Sequence, residues 1–386
     1  MYCVSYVFQN SLSRERIHDF EPLSDRVQDD ILTVSAQLEQ VHFRNGSINS
    51  LFVSQYNMFQ MLQLLQLELA GSRSSGEGTT SILDMVLSDS DNILAQIVSW
   101  SKAVPYTQAD PLILLQLQFF ETLLTCNIGG QSVLSHVKVL HPLVSLLELV
   151  NGLPSSHTPS NRLQSTLLEL VHSLCLLLMD SSPLLDLFTC DDNPRFILFS
   201  LLTPYLHRRG QLGQQARDSL LLCISLASRS PAVESYISTH SNFLPILASG
   251  LSGLYSALPR NLDADNPSWH RLDPMDAQDI PGLAAMLTSL ELCSAVVELA
   301  PSQVAAQLVE LVHQGFLVPV LAPALVQEQD AEALVAATAY LDLFLKHITA
   351  TALRAAVVRF LLCEQVEDGW TRIMKLTIFI RWKVIV

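Results

Sequence analysis

The chain has 386 residues, of which 22 are basic and 37 acidic, so its net charge is −15. Because 49% of the residues are hydrophobic and 15% are charged, the chain is too apolar to be intrinsically disordered. The acidic balance and the presence of only five lysines argue against a nucleic-acid groove, which needs a basic stripe to neutralise phosphates.

The seven cysteines are odd in number and mostly embedded in leucine-rich segments. This pattern predicts reduced core thiols in the cytosol and not a disulfide framework. Residues 1–22 are predicted to form an irregular leader, and Met1–Asn10 lacks the basic and apolar regions of a signal peptide. The longest uncharged stretch, Ser235–Pro259, is interrupted by proline, glycines and six serines, so we expect no transmembrane segment.

Helical periodicity dominates the rest of the chain. Apolar residues three and four positions apart trace one face of successive helices. The clearest faces consist of Val133, Val137, Leu140, Val144 and Leu147; of Leu163, Leu167, Leu170, Leu174 and Leu177; of Met286, Leu290, Cys293 and Val297; and of Leu334, Ala337, Leu341, Phe344 and Ile348. Helix starts are predicted where a capping residue precedes proline, at Asp110, Ser182, Asn193 and Ser230.

These signals predict a fold made of helices joined by short loops. The expected helices cover 24–41, 50–70, 82–101, 111–126, 131–151, 162–180, 194–207, 212–228, 231–240, 243–256, 281–299, 301–314, 316–327, 331–348 and 350–364. No alternating run of strand length occurs before residue 372. Helix pairs that recur at roughly 40 residues are typical of HEAT and armadillo stacks. The predicted fold is therefore all-α, an α-solenoid of HEAT/armadillo-like helical pairs over residues 23–365.

Three segments depart from this pattern. Residues 71–80 are polar and glycine-rich, which predicts a flexible loop. Residues 259–281 carry four prolines and five aspartates, and long ordered loops of this kind are more often functional than ordinary connections. Residues 366–386 form a divergent tail, of which 372–386 carries four positive charges and no negative one. This tail either lies on an anionic membrane or is a by-product of transcript processing.

The search for catalytic, cofactor and metal motifs favours structural explanations. Glu77 and Gly78 stand where a phosphate-binding loop after Gly71 and Gly76 would need lysine and a hydroxyl residue. The pattern Gly210-Gln-Leu-Gly213, preceded by Arg208-Arg209, imitates the G-x-x-G loop of KH domains. That domain needs strands, so a turn between helices is the favoured interpretation.

Metal ligation is also disfavoured. His172 and Cys175 share one helix face, but no second ligand pair lies near them in the sequence. No nucleophile, base and oxyanion site can be assembled from the remaining residues. We therefore expect neither an enzyme nor a bound cofactor or metal.

Several blocks of sequence from residue 193 onward are specific enough to resemble a known family. They are Asn193–Phe196, Leu198–Gly210, Gly213–Leu221, Leu247–Arg260, Trp269–His270, Gly315–Leu325 and Thr338–Leu345. Together these blocks are similar to the FHIP family, the FTS- and Hook-interacting proteins, most clearly over residues 190–348. Family members are usually far longer, so the chain resembles an N-terminal portion and is expected to be truncated.

The resemblance implies a non-enzymatic α-solenoid scaffold. Family members join FTS, an inactive relative of ubiquitin-conjugating enzymes, to Hook adaptors, and through Hook they couple dynein to endosomal cargo. Some recognise an early-endosomal Rab GTPase, and the complex also works with the HOPS machinery. The implied location is the cytoplasm, peripheral on early endosomes and vesicles. The alternative is a generic armadillo- or HEAT-like interaction module of another cytosolic assembly.

Partner-binding residues cannot be transferred from the family by motif, so three test positions are chosen from the residues themselves. Trp269 and His270 lie in the acidic loop 259–281, where the tryptophan either pins the loop onto the solenoid or contacts a partner. Arg195 either contacts a partner or forms an ion pair with Asp191 or Asp192 at a helix start.

Overall fold

The computed structural model describes residues 58–63, 65, 92–125, 127–128, 131–154, 157–180, 182–189, 196–262, 272–326 and 331–362. The chain divides into two compact units, Met1–Cys126 and Asn127–Val386. The predicted leader 1–22, the loop 71–80, the tail 366–386 and the middle of the acidic loop 259–281 lie outside the described residues.

The first unit contains helices α1 (Ile93–Ala103) and α2 (Tyr106–Leu124), and residues 58–63 and 65 are also helical. The two helices are joined by a buried hydrogen-bond chain. The Gln116 Nε2 atom donates to the Ile97 carbonyl at 2.7 Å, and the Ser101 hydroxyl donates to Gln116 Oε1 at 2.8 Å. These bonds satisfy polar groups that burial would otherwise penalise.

The predicted helix start at Asp110-Pro111 is wrong, because α2 already begins at Tyr106, after Pro105. Pro111 lies inside the helix and leaves one carbonyl of the first turns without its usual donor. Ala109 is 1% exposed, on the same face as the buried Leu112. An earlier start therefore gives the helix more buried apolar surface.

The second unit contains one small hairpin and twelve helices among its described residues. These elements are β1 (Asn127–Ile128), β2 (Gln131–Ser132), α3 (Val137–Asn151), α4 (Asn161–Asp180), α5 (Ser182–Phe188), α6 (Ile197–Leu202), α7 (Gly210–Ala227), α8 (Pro231–Ser235), α9 (Phe243–Ser256), α10 (Leu283–Leu299), α11 (Ser302–Val312), α12 (Ala322–Val326), α13 (Ala331–His347) and α14 (Thr351–Leu362). Short 3-10 segments at Val133–Ser135, Thr203–Tyr205 and Pro274–Gln278 connect some of them. The fold is thus helical, as predicted.

The hairpin replaces the start of a predicted helix. Asn127 pairs with Ser132 and Ile128 with Gln131 in antiparallel register. Strands of two residues are too short to leave an alternating pattern in the sequence, so the periodicity gave no sign of them. As a result α3 begins only at Val137, whose side chain is 54% exposed and does not join the buried face predicted for it.

A second difference concerns residues 302–326, where two helices were predicted and one continuous helix is found. Helix α11 continues through a π-helical segment, His313–Leu321, into α12. Pro319 cannot donate a hydrogen bond to the Gly315 carbonyl, and the helix widens here instead of breaking. The Ser252 hydroxyl of α9 donates to that carbonyl at 2.6 Å.

The core of the second unit is built on a succession of contacts between non-adjacent helices. Helix α4 packs against α7, α7 against α10, and α10 against α13. The apolar faces predicted for α10 and α13 are buried, as are four of the five residues predicted for α4. The exception on α4 is Leu177, which is only partly buried.

Two helices among the described residues, Asn161–Asp180 and Ser302–Val326, have the length and apolar composition of a membrane span. Core helices of compact proteins meet the same criteria. Helix α4 has this character, since it packs on α7 and its buried Gln164 donates a hydrogen bond to the Pro159 carbonyl at 2.6 Å.

Candidate functional site

A cavity of about 570 Å³ opens in the second unit, and we call it the arginine cleft. Its first wall consists of residues 206–210 and Arg217. Its second wall includes the first turns of α10, and Leu254 of α9 contributes apolar surface between the walls. The residues of the second wall are Ala277, Gln278, Ile280, Pro281, Gly282, Ala284, Ala285, Thr288, Ser289 and Leu292.

The first wall is a tight turn that leads from α6 into α7. Gly210 has a φ of +79°, a backbone conformation that residues other than glycine rarely adopt. Gly213 lies against the preceding turn so closely that a Cβ atom there would be 1.8 Å from the Arg208 carbonyl oxygen. The G-x-x-G pattern is therefore the first turn of α7, at the predicted turn between helices.

Arg217 fixes this turn from the second turn of α7. Its Nη1 atom donates to the carbonyl oxygens of Leu206 at 3.3 Å and Arg208 at 3.1 Å. Its Nη2 atom donates to Gln214 Oε1 at 3.1 Å. Burial lowers the pKa of Arg217, and nearby Asp218 and Glu291 oppose that effect. Arginine keeps its charge in proteins, so this side chain both positions the turn and adds a positive charge to the cleft.

The two arginines at the tip of the turn differ in their contacts. The Arg208 Nη1 atom donates to Gln164 Oε1 of α4, and its guanidinium carbon lies 5.5 Å from the Tyr205 ring centroid. This placement over an aromatic face holds the cation in position. The Arg209 side chain is exposed, and within the described part of the chain no hydrogen bond or ion pair engages it.

The second wall is formed by the end of the acidic loop and the start of α10. Residues 274–278 form a 3-10 turn closed by a capping box, in which the Asp273 backbone N–H donates to Asp276 Oδ2 at 2.7 Å. Helix α10 then begins at Leu283, and the small residues Ala284 and Ala285 of its first turn line the cleft. Small side chains leave room for a ligand beside the helix backbone.

Ser289 lies deeper in the same wall. The residue is 6% exposed, and its hydroxyl oxygen has no hydrogen-bond partner among the described residues. A buried polar group without a partner carries a desolvation cost, so such groups are uncommon in folded proteins. Thr288 beside it is satisfied, because its hydroxyl donates to the Ala284 carbonyl at 3.0 Å.

The electrostatic character of the arginine cleft opposes that of the whole chain. Among the described residues, three arginines line it and no aspartate or glutamate does, although the chain carries a net charge of −15. The first turns of α7 and α10 also face it, and helix N-termini carry partial positive charge. The cleft is thus suited to anionic groups.

His207 adds a titratable group to the first wall. Burial lowers the pKa of His207 and the charge of Arg217 lowers it further, while a hydrogen bond with the Ile246 backbone opposes both. The imidazole is therefore mostly neutral at pH 7. A Cβ atom at Gly250 would be 2.5 Å from the ring carbon Cε1, so the ring packs tightly on α9.

The predicted test positions Arg195, Trp269 and His270 lie outside the described residues and stay predictions. Sequence reasoning recognised Arg208 and Arg209 only as flanks of a turn and did not single out Arg217. The available signal was an Arg-Arg pair before glycine in a chain with few basic residues.

The His172 and Cys175 pair has a structural explanation on the opposite side of α7. The His172 Nδ1 atom lies 3.0 Å from the Ser219 hydroxyl, and the Cys175 and Cys223 sulfur atoms are 3.4 Å apart. We call these four residues the α4–α7 seam. No group of three or more potential metal ligands occurs among the described residues.

Comparison with known proteins identifies relatives over most of the chain. The family model described as retinoic acid induced 16-like protein (RAI16-like) matches residues 83–379. An FHIP family protein of Drosophila melanogaster is 35% identical over 324 residues, which cover 79% of this chain and 30% of the relative. The human FHF complex subunit HOOK-interacting protein 1B is 38% identical over 332 residues, covering 83% of this chain and 33% of the relative.

An FHIP family protein of Anopheles gambiae is 38% identical over 294 residues, covering 72% of this chain and 28% of that relative. The chain therefore spans about a third of the length of these curated relatives.

Proposed function

This chain belongs to the FHIP family, and from that membership we propose that it acts as a non-enzymatic scaffold subunit that binds a Hook-type protein. The observation that carries the proposal is the 38% identity to a human protein named as a complex subunit and as Hook-interacting. The matched region includes both walls of the arginine cleft.

We extend the proposal to the architecture, which is a HEAT/armadillo-like α-solenoid. The support is the order of contacts, since α4, α7, α10 and α13 each pack on the next member of that series. In a solenoid each repeat contacts only its neighbours, and the stack presents extended surfaces suited to protein partners. Such surfaces fit a scaffold better than an enzyme.

A direct test is co-precipitation of purified Hook protein with the purified chain. Because the chain spans about a third of its relatives, the full-length human relative serves as the positive control. We expect Hook to be retained by both proteins. Retention by the relative alone would contradict the proposal for this chain.

We further propose that the assembly contains an FTS-like protein, engages an early-endosomal Rab GTPase and HOPS, and links endosomes and vesicles to dynein. The support for these partners and for a cytoplasmic location on early endosomes is the family resemblance. Proximity labelling in cells should recover endosomal and motor proteins. A labelled set without them would favour the alternative, an interaction module of another cytosolic assembly.

A further inference from the structure

We propose that the arginine cleft binds an acidic peptide segment of a partner protein, with an apolar side chain in the cleft and carboxylates at Arg208 and Arg209. This inference rests on the proposed scaffold function, because a peptide site needs a protein partner. It adds a location and a ligand chemistry to that function.

The charge of the cleft selects an anionic ligand. Arg208, Arg209 and Arg217 line it, and no acidic residue within the described ranges does. Arg209 has no partner among the described residues, so its guanidinium is available to form a bidentate bond with a carboxylate. Arg217 acts as a positioning residue, since its Nη atoms already donate to Leu206, Arg208 and Gln214.

The shape and lining of the cleft favour a peptide over a small anion. Its volume of about 570 Å³ lies within the usual range of ligand pockets. Much of the lining is apolar, and free phosphate or an inositol headgroup would gain nothing from covering such surface. The main apolar contributors are Leu254, Ile280 and Pro281, with the buried Leu206 and Leu292 behind them.

Ser289 supplies a second observation that points to a ligand. Its buried hydroxyl has no acceptor within the described residues. The hydroxyl oxygen is closed off from the cleft surface as it stands, so a peptide carbonyl or carboxylate oxygen becomes its acceptor only if the Ser289 side chain rotates toward the cleft. That bond would remove the cost of the unpaired group. The small residues Gly282, Ala284 and Ala285 leave space for a peptide backbone along this wall.

An anionic membrane is a less suitable ligand for this site. The cleft is a concave feature on a chain with a net charge of −15, and that charge repels an anionic lipid surface. A flexible acidic peptide can enter the cleft while the rest of its protein stays at a distance. The net negative charge of the chain therefore repels such a peptide less than it repels a membrane surface.

The test measures binding of a fluorescently labelled peptide of leucine and glutamate to the whole chain by anisotropy. We expect saturable binding that weakens as salt concentration rises, because the contact is a charge pair at the protein surface. Arg209→Glu should weaken binding by about tenfold or more. Arg359→Glu makes the same charge change at an exposed position of α14 and should have no effect.

A second variant tests the cleft independently of its charge. Ala284 is exposed, so Ala284→Trp should fill the cleft without unfolding the protein and should also weaken binding. Equal binding of a peptide with glutamine in place of glutamate would overturn the proposal. So would equal effects of Arg209→Glu and Arg359→Glu, unchanged binding by Ala284→Trp, or binding to phosphoinositide vesicles but not to the peptide.

Hook co-precipitation separates this inference from the proposed function. If Hook is retained but the peptide does not bind, the cleft proposal fails and the scaffold function stands. If the peptide binds with the expected variant effects but no Hook is retained, the Hook-binding function fails and the cleft proposal stands.

Discussion

The two sides of α7 use polar side chains in opposite ways. On the α4–α7 seam, His172 is bonded to Ser219, Cys175 contacts Cys223, and both thiols are fully buried. At the arginine cleft, Arg209 is exposed and the Ser289 hydroxyl is buried without a partner in the part of the chain that the structure describes. Polar groups that have hydrogen-bond partners inside the chain are accounted for by the packing of the fold. Polar groups that lack such partners and lie at a cavity indicate a ligand-binding site.

The comparison also shows why residue type alone is a poor guide to function. Histidine and cysteine on one helix face suggest metal chemistry, yet the structure gives each of them a single neighbour on α7. An arginine pair before glycine suggests a solvated turn, yet it borders the arginine cleft. The difference lies in the neighbours, which are distant in sequence.

The largest expected effect is on the reactivity of the buried thiols, and it tests whether the α4–α7 seam excludes solvent and reagents. Burial and the contact with Cys175 raise the pKa of Cys223, and burial raises the pKa of Cys293 to about 12. Alkylation of the native chain at pH 8 should therefore be slower than in denaturant by on the order of a thousandfold or more, because the thiols react only through opening. Site-resolved mass spectrometry measures the rates, and fast native labelling of Cys223 would show that the seam is open.

The next effect concerns the turn that forms the first wall of the cleft. Gly213→Ala should lower the free energy of unfolding by about 3 kcal/mol, because the new Cβ atom would overlap the Arg208 carbonyl. Gly253→Ala is the matched control, since apart from its chain neighbours and the adjacent backbone of α9 no described atom lies within 4 Å of its Cβ position. The control should be neutral or gain up to about 1 kcal/mol from helix propensity. Urea unfolding measures both variants. Equal losses in the free energy of unfolding would contradict the close contact between Gly213 and the Arg208 carbonyl.

A smaller loss is expected on the seam. Ser219→Ala removes the neighbour of the partly buried His172 Nδ1 atom and should cost about 1–2 kcal/mol in urea unfolding. Ser249→Ala is the control, because that residue is exposed and bonds only to the Ile246 carbonyl of its own helix. Its loss should stay within about 0.5 kcal/mol. If Ser219→Ala lowers the free energy of unfolding no more than the control does, the contact between His172 and Ser219 does not stabilise the seam.

The smallest effect is the pH dependence from His207. Its pKa is lower in the folded chain than in the unfolded chain, so the unfolded state binds more protons as the pH falls. The stability from this group is complete above the ordinary histidine pKa of about 6.5 and is lost as the pH falls through that value toward the folded pKa. His207→Gln should reduce the loss of stability between neutral and mildly acidic pH. An unchanged pH profile would exclude the proposed shift.

Local signals in the sequence identified helices well and their connections less well. Helix α9 was predicted at 243–256 and is found at Phe243–Ser256, because its periodicity and its boundaries are both local. Pro231 opens a helix as predicted, but Pro111 does not, because the burial of Ala109 favours an earlier start. The widening at Pro319 depends on neighbours in α9, which a local pattern does not contain.

The arginine cleft could not be predicted in the same way. Arg209 and Ser289 come from elements far apart in the chain, and their shared cavity exists only after α7 and α10 pack together. Gly213 carried a usable signal, since a glycine within the first turn of a helix after Arg-Arg-Gly indicates a close backbone contact. Nothing in the sequence around Ser289 indicated that its hydroxyl would have no partner among the described residues.

The π-helical segment His313–Leu321 also sets the angular phase of the long helix that contains it. The buried positions Val304, Leu308 and Val312 precede the segment at steps of four, and Phe316, inside the segment, follows Val312 at the same step. Since an α-helix has about 3.6 residues per turn, each step of four rotates the buried stripe by about 40°. The buried positions then resume one residue later, at Leu317, Leu321 and Leu325. The widened turn thus reverses the rotation of the buried stripe around the helix axis. The continuous helix therefore keeps its apolar stripe toward the core over its full length.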